Sequence, residues 1–146
     1  MGDYRPSHAG LCVSDLERAV RFYCEGLGFE RAERFDMDST ALPGLDRSLE
    51  VHGPATITSQ FIQNDTMRIE LLHFTAPAAG GAPSARRNEL GLTHLSFYVD
   101  DIDRALPRLL ELGGTLLPDT RQHPGIDLVF LADPDGTRVE LMAAPA

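Results

Sequence analysis

The chain repeats itself. HAGLCVSDLERAVRFYCEGLG, from His8, lines up with HLSFYVDDIDRALPRLLELGG, from His94, 86 positions on. His8/His94, Val13/Val99, Asp15/Asp101, Arg18/Arg104, Ala19/Ala105, Glu25/Glu111 and Gly28/Gly114 coincide. NDTMRIELL, from Asn64, lines up with PDGTRVELM, from Pro134, 70 positions on, and Asp65/Asp135, Arg68/Arg138, Glu70/Glu140 and Leu71/Leu141 coincide. The offsets differ by 16 residues, which places an insertion in the first copy, around Phe35–Ala55. Two copies of about 50–60 residues are too few for a solenoid, whose core needs at least three stacked repeats. The chain therefore reads as a single domain, 1–146, made of two modules at about 6–74 and about 91–143, joined by a Gly/Pro/Ala-rich linker at about 75–90.

Both modules carry the same pattern, β-α-β-β-β, which predicts an α+β fold. His8–Val13 and His94–Val99 alternate as short strands. Ser14-x-x-Glu17 reads as a capping box, and Asp100 or Asp101 caps the matching helix. The helices place Leu16, Ala19/Val20, Tyr23 and Leu27, then Ile102, Ala105/Leu106 and Leu109, on one face, and Gly26/Gly28 and Gly113/Gly114 stop them. Strand-like runs follow at Phe29–Phe35, Thr56–Gln63 and Met67–Phe74, then at Thr115–Leu117, Asp127–Ala132 and Arg138–Met142. Asn64-Asp65 and Asp133-Pro134-Asp135-Gly136 are tight-turn signals between the last two strands of each module.

Successive strand side chains point to opposite faces. Counting by twos puts His8 with Gly10 and Cys12, opposite Ala9, Leu11 and Val13, and puts His94 with Ser96 and Tyr98, opposite Leu95, Phe97 and Val99. Glu70 falls with Arg68 and Leu72, opposite Ile69 and Leu71; Glu140 falls with Arg138 and Met142, opposite Val139 and Leu141. In all four strands the apolar set faces away from the His or Glu, where a helix can cover it. His8, Glu70, His94 and Glu140 are thus expected on uncovered sheet faces, two from each module.

Two neutral imidazoles and two carboxylates make a set with a formal charge of −2, and gathering both carboxylates without a cation forces one pKa upward. A divalent ion cancels that charge, and a mixed N2O2 set suits zinc, nickel, cobalt, iron or manganese better than calcium or magnesium. No zinc-finger or HExxH spacing occurs, so the fold must assemble the site. The partners this leaves are small molecules. Thirteen basic residues, all arginine, against 22 acidic ones leave a net charge of −9, which disfavours nucleic acid and anionic membranes. No apolar run approaches the roughly 18 residues of a membrane span, and the first residues show no apolar secretion segment. With Cys12 and Cys24 too few for a disulfide framework, the expected location is the cytoplasm, with both thiols reduced.

The segments HAGLCVSDLERAVRFYCEGLGFE, TMRIELL, GLTHLSFYVDDIDRAL and FLADPDGTRVELM resemble the vicinal oxygen chelate superfamily, which includes glyoxalase I, methylmalonyl-CoA epimerase, extradiol dioxygenases and the bleomycin and fosfomycin resistance proteins. The resemblance implies paired modules forming a curved mixed sheet around a central cavity. It implies a metal held by the first- and last-strand positions of each module, here His8, Glu70, His94 and Glu140, and a homodimer. Four ligand-capable positions favour the isomerising branches over the dioxygenases and resistance enzymes, which generally use three. Epimerases often carry glutamine where this chain has Glu70, which favours a glyoxalase I-like reaction: isomerisation of an α-hydroxy or α-keto thiol adduct by carboxylate-mediated proton transfer. By that similarity Glu140 is the main base, Glu70 stands on the opposite side, and the histidines are ligands. The alternatives are an acyl-CoA epimerase, an extradiol dioxygenase, and a non-catalytic drug-binding protein.

Other residues carry weaker signals. His52, His73 and His123 have no counterpart in the other copy, and His73 reads as structural. Cys12 and Tyr98 share the histidine face and either line a cavity or pack; Cys24 reads as core. Arg68 and Arg138 share the glutamate face, either ion-paired or recognising an anionic substrate, and Arg86-Arg87 reads as a solvated pair.

Overall fold

Each half of the chain builds its own four-stranded mixed sheet in the computed structural model, which describes residues 2–145. In the first unit, Met1–Gly80, strands β1 (Ala9–Cys12), β2 (Glu30–Asp38), β3 (Thr56–Gln63) and β4 (Arg68–Ala76) lie in the order β1-β4-β3-β2. In the second, Gly81–Ala146, strands β5 (Leu95–Val99), β6 (Thr115–Gln122), β7 (Leu128–Ala132) and β8 (Arg138–Ala143) repeat it as β5-β8-β7-β6. First and last strands are parallel neighbours in both units, and the other pairings are antiparallel. Parallel neighbours cannot be joined by a hairpin. A helix and two further strands therefore intervene before the last strand returns beside the first.

The helices are α1 (Leu16–Arg21), the single turn α2 (Leu45–Ser48), which lies inside the inserted segment, and α3 (Ile102–Glu111). α1 packs on β4, and α3 packs on β6 and β8. Between α1 and β4 lie Val13, Val20, Ile69 and Leu71, all at most 1% exposed; in the second unit Val139 and Leu141 are fully buried and Leu109 is 2% exposed. The covered face is the apolar set that alternation assigns to it. Among the described residues no helix is long and apolar enough to cross a membrane.

Three local details differ from expectation. The cap of α1 is Asp15 and not Ser14: Asp15 Oδ1 accepts from Arg18 N at 3.0 Å, as Asp101 Oδ1 accepts from Arg104 N at 3.0 Å in α3. Val13 N still bonds Leu72 O at 2.8 Å, so the chain stays extended one residue too long for a Ser14 cap. Ser14 Oγ instead accepts from Arg18 Nη2 at 3.1 Å, and Glu17 pairs with Arg31 at 2.8 Å. Past Arg21 the helix widens into a π-turn at Phe22–Gly26. Wider winding puts two consecutive aromatics, Phe22 and Tyr23, into the core, both at 0% exposure. It also turns Cys24 out of the core: the thiol is only half-buried, though burial still raises its pKa. Finally, β6 runs on to Gln122, past the expected end at Leu117, through an irregularity between Leu117 and Gln122.

Candidate metal centre

The pairing register of the parallel strands brings each histidine to its glutamate. Gly10 lies opposite Glu70 and Ser96 opposite Glu140, in each module two residues after the histidine. A step of two keeps the same face, so His and Glu become diagonal neighbours on the side that the helix leaves open. His8 Nε2 stands 3.5 Å from Glu70 Oε1, and His94 Nε2 stands 3.6 Å from Glu140 Oε1. The imidazoles are 33% and 28% exposed and the carboxylates 19% and 12%: reachable from solvent, yet held.

Both pairs are supported alike. Ser7 Oγ lies 2.8 Å from His8 Nδ1, and Thr93 Oγ1 lies 2.7 Å from His94 Nδ1. In the tautomer whose Nδ1–H donates to the hydroxyl, Nε2 presents its lone pair toward the carboxylate. Phe61, opposite Glu70, meets the His8 ring edge-on at 5.0 Å, and Phe130, opposite Glu140, meets His94 in the same way at 5.1 Å.

This donor set fits a divalent cation. A nitrogen lone pair and a carboxylate oxygen aimed at one space repel each other unless a cation or proton lies between them. Two donors bound at about 2.1 Å to one ion sit about 3.0–3.5 Å apart, close to the separations in both pairs. A hydrogen-bond acceptor on the distal ring nitrogen is the usual outer support of a ligating histidine, and Ser7 and Thr93 offer a hydroxyl oxygen there. The structure brings His8 to Glu70 and His94 to Glu140. Among the described residues, no group of three or more His, Cys, Asp or Glu is gathered to hold an ion.

The arginines near these pairs are occupied. Arg68 pairs with Glu33, donates to Gln63 Oε1 at 2.8 Å, and lays its guanidinium 4.1 Å from the Phe61 centroid. The Arg68 hydrogen bond holds the Glu33 carboxyl below the ordinary carboxylate range. Arg138 donates to the carbonyls of Gly136 and Ala85 at 2.9 and 3.3 Å. Arg87 is not the solvated residue that its sequence context suggests: it is half-buried over Phe130 and donates to the carbonyls of Thr93 and Ser84. Burial, and then the charge of Arg138, lowers its pKa. His73 Nδ1 lies 3.3 Å from Val13 O, a structural contact, while His52 and His123 sit on exposed loops. Cys12 and Tyr98 are exposed on the histidine face.

Sequence reasoning missed three supports. Ser7/Thr93 sit at matched positions, so the repeat itself contained that signal. Phe61 and Phe130 are matched only through the strand register. Ser59 and Ser96, which bond the two carboxylates, occupy unrelated positions and leave no mark in the repeat.

A duplicated β-α-β-β-β module with one His–Glu pair per copy defines a class, and comparison with known proteins supplies the family. Residues 5–141 match the Glyoxalase/Bleomycin resistance protein/Dioxygenase superfamily, to which the chain belongs. It is 33% identical to an ethylmalonyl-CoA/methylmalonyl-CoA epimerase of Cereibacter sphaeroides, over 94% of this chain and 96% of that protein. It is 29% identical to a 2-epi-5-epi-valiolone epimerase of Actinomyces, over 95% of this chain and 79% of the other. Its fold is shared with a glyoxalase family protein from Bacillus cereus, at a TM-score of 0.79 and 23% identity, covering 98% and 97% of the two chains.

Proposed function

We propose that the chain is a divalent-metal-dependent enzyme of the glyoxalase I type, which isomerises an α-hydroxy or α-keto thiol adduct by proton transfer. His8, Glu70, His94 and Glu140 are its metal ligands, and it acts in the cytoplasm as a homodimer on a small molecule. The observation that carries this reading is the repetition of one His–Glu pair, with the same donor atoms at 3.5 and 3.6 Å, in both modules. Members of the superfamily generally use divalent metals.

His8, Glu70, His94 and Glu140 would hold a zinc, nickel, cobalt, iron or manganese ion, and that ion would supply Lewis-acid stabilisation to charge developing on the substrate carbonyl oxygen. The chain's own residues do the rest. Ser7 and Thr93 fix the imidazoles so that Nε2 stays the donor. Glu140 takes the proton from the carbon next to the carbonyl and returns it one carbon along, with Glu70 on the other side of the substrate.

A second reading is supported by the ethylmalonyl-CoA/methylmalonyl-CoA epimerase relative: the same carboxylates return the proton to the opposite face of one carbon in an acyl-CoA. One set of measurements separates them. The metal-free chain is reconstituted with Ni(II), Co(II), Zn(II) or Mn(II), analysed for bound metal, and assayed with methylglyoxal plus glutathione and with methylmalonyl-CoA in deuterated water. Metal-dependent turnover of the thiol adduct is expected; deuterium exchange into the acyl-CoA alone establishes the second reading. A chain that takes up no metal, and whose stability no metal changes, overturns both in favour of a binding protein.

A further inference from the structure

The two modules match in their His–Glu pairs and differ in how they hold the carboxylate. Ser59, on β3 and at 0% exposure, donates its hydroxyl to Glu70 Oε2 at 2.6 Å. The other oxygen, Oε1, faces His8 Nε2 and takes no hydrogen bond among the described residues. In the second module the donor comes from another strand. Ser96, exposed on β5, donates to Glu140 Oε1 at 2.6 Å, the oxygen that faces His94, and Oε2 takes no hydrogen bond among the described residues.

Neither serine has a counterpart. The position of Ser96 is held in the first module by Gly10, opposite Glu70 as Ser96 is opposite Glu140. The position of Ser59 is held in the second by Leu128, opposite Met142 as Ser59 is opposite Leu72. Duplication therefore accounts for the pairs but not for the serines, each of which stands in one copy alone.

The consequence is chemical. A buried donor on Oε2 anchors the far side of the Glu70 carboxylate and leaves the oxygen beside His8 to bind. The donor on Oε1 of Glu140 uses one of that oxygen's two acceptor positions, keeps it turned to His94 with the second position open to an ion, and leaves the outer oxygen unengaged. Charge-assisted hydrogen bonds of this length are strong and directional, so each fixes how its carboxylate is turned and which oxygen is left without a donor.

We propose that Ser59 and Ser96 are positioning residues that divide the work of the two glutamates: Ser59 fixes Glu70 as a standing ligand, and Ser96 leaves Glu140 Oε2 free as the proton carrier. This rests on the four-ligand reading above. In the step it serves, Oε2 takes the proton from the carbon beside the carbonyl while the C–H electron pair moves toward the carbonyl oxygen. The same oxygen then returns the proton to the former carbonyl carbon while the hydroxyl proton of the first carbon passes to the former carbonyl oxygen, so the carbonyl has moved one carbon along and the carboxylate ends as it began.

The test uses the full chain with Ser59→Ala, Ser96→Ala, and the hydroxyl-restoring Ser59→Thr and Ser96→Thr. Ni(II) affinity is measured by titration calorimetry on the metal-free protein, and kcat and KM are measured at saturating Ni(II). Ser59→Ala is expected to weaken Ni(II) binding about tenfold or more, with Ser59→Thr restoring it. Ser96→Ala is expected to leave Ni(II) affinity within about threefold and to lower kcat about tenfold at unchanged KM, with Ser96→Thr restoring it. Equal effects of the two alanines on affinity and on kcat, or no effect of either, overturn the division of labour while the functional reading stands. Wild-type chain that binds no divalent ion overturns both. Should Ser59→Ala not fold, the Ser96 pair decides: a loss of Ni(II) affinity at unchanged kcat in Ser96→Ala overturns the proposal by itself.

Discussion

Glu70 and Glu140 are the same residue at the same strand position, and their neighbours set them apart. Each faces a histidine across about the same gap, but one takes a buried serine on its outer oxygen and the other takes an exposed serine on its inner one. Replacing Glu140 with Gln keeps the size and removes the basic oxygen. The expected outcome is an unchanged unfolding midpoint and a kcat lower by about 10²–10⁴; unchanged turnover removes Glu140 from that role. Replacing Thr93 with Ala takes the hydroxyl from His94 Nδ1 and is expected to weaken metal binding by about tenfold, read by calorimetry on the metal-free chain. The four proposed ligands were readable in the sequence because duplication wrote each pair twice. Ser59 and Ser96 were not, because a hydrogen bond that appears once, between residues 11 or 44 apart, has no pattern to betray it.

Elements were readable in kind more than in extent. Period-two alternation identified the first and last strands of each module, since an uncovered face must be polar where a covered one is apolar, and the strands between them were read as strand-like runs. Their ends depended on pairing partners that alternation does not see: the Val13–Leu72 bond moved the α1 cap to Asp15, and the π-turn followed from fitting Phe22 and Tyr23 into one core. Asp101→Ala should destabilise the chain by about 1 kcal/mol in urea unfolding, with no change in metal affinity. The Arg31 hydrogen bond that ties β2 to α1 holds the Glu17 carboxyl below its ordinary value. Its contribution is therefore fully present above the unfolded value, about 4.3, and is lost as pH falls through the lowered folded one. In Glu17→Gln the drop in urea midpoint between pH 7 and pH 3 should be smaller than in wild type; an equal drop shows that the pair contributes nothing.

At the scale of the molecule, one module supplies one histidine and one glutamate, and the proposed ligand set needs one pair of each kind. A dimer that joins the pairs of different copies makes a specific prediction. Glu70→Ala and Glu140→Ala, each inactive alone, should recover roughly a quarter of wild-type activity when unfolded and refolded together, because half the dimers then hold one intact site of two. Pairs that meet within one chain give no recovery. Loss of the ion should also lower the unfolding midpoint, in proportion to how far free metal exceeds its Kd, and return it on replenishment.

The order of residues alone determined the doubling, the β-α-β-β-β plan and the faces of His8, Glu70, His94 and Glu140, because each is a property of spacing along the chain. Tertiary structure alone decided which oxygen of each carboxylate is held, which aromatic ring backs each imidazole, and that Arg68, Arg87 and Arg138 are engaged in contacts within the protein. Those are properties of register and distance between strands far apart in sequence, and no period along the chain encodes them.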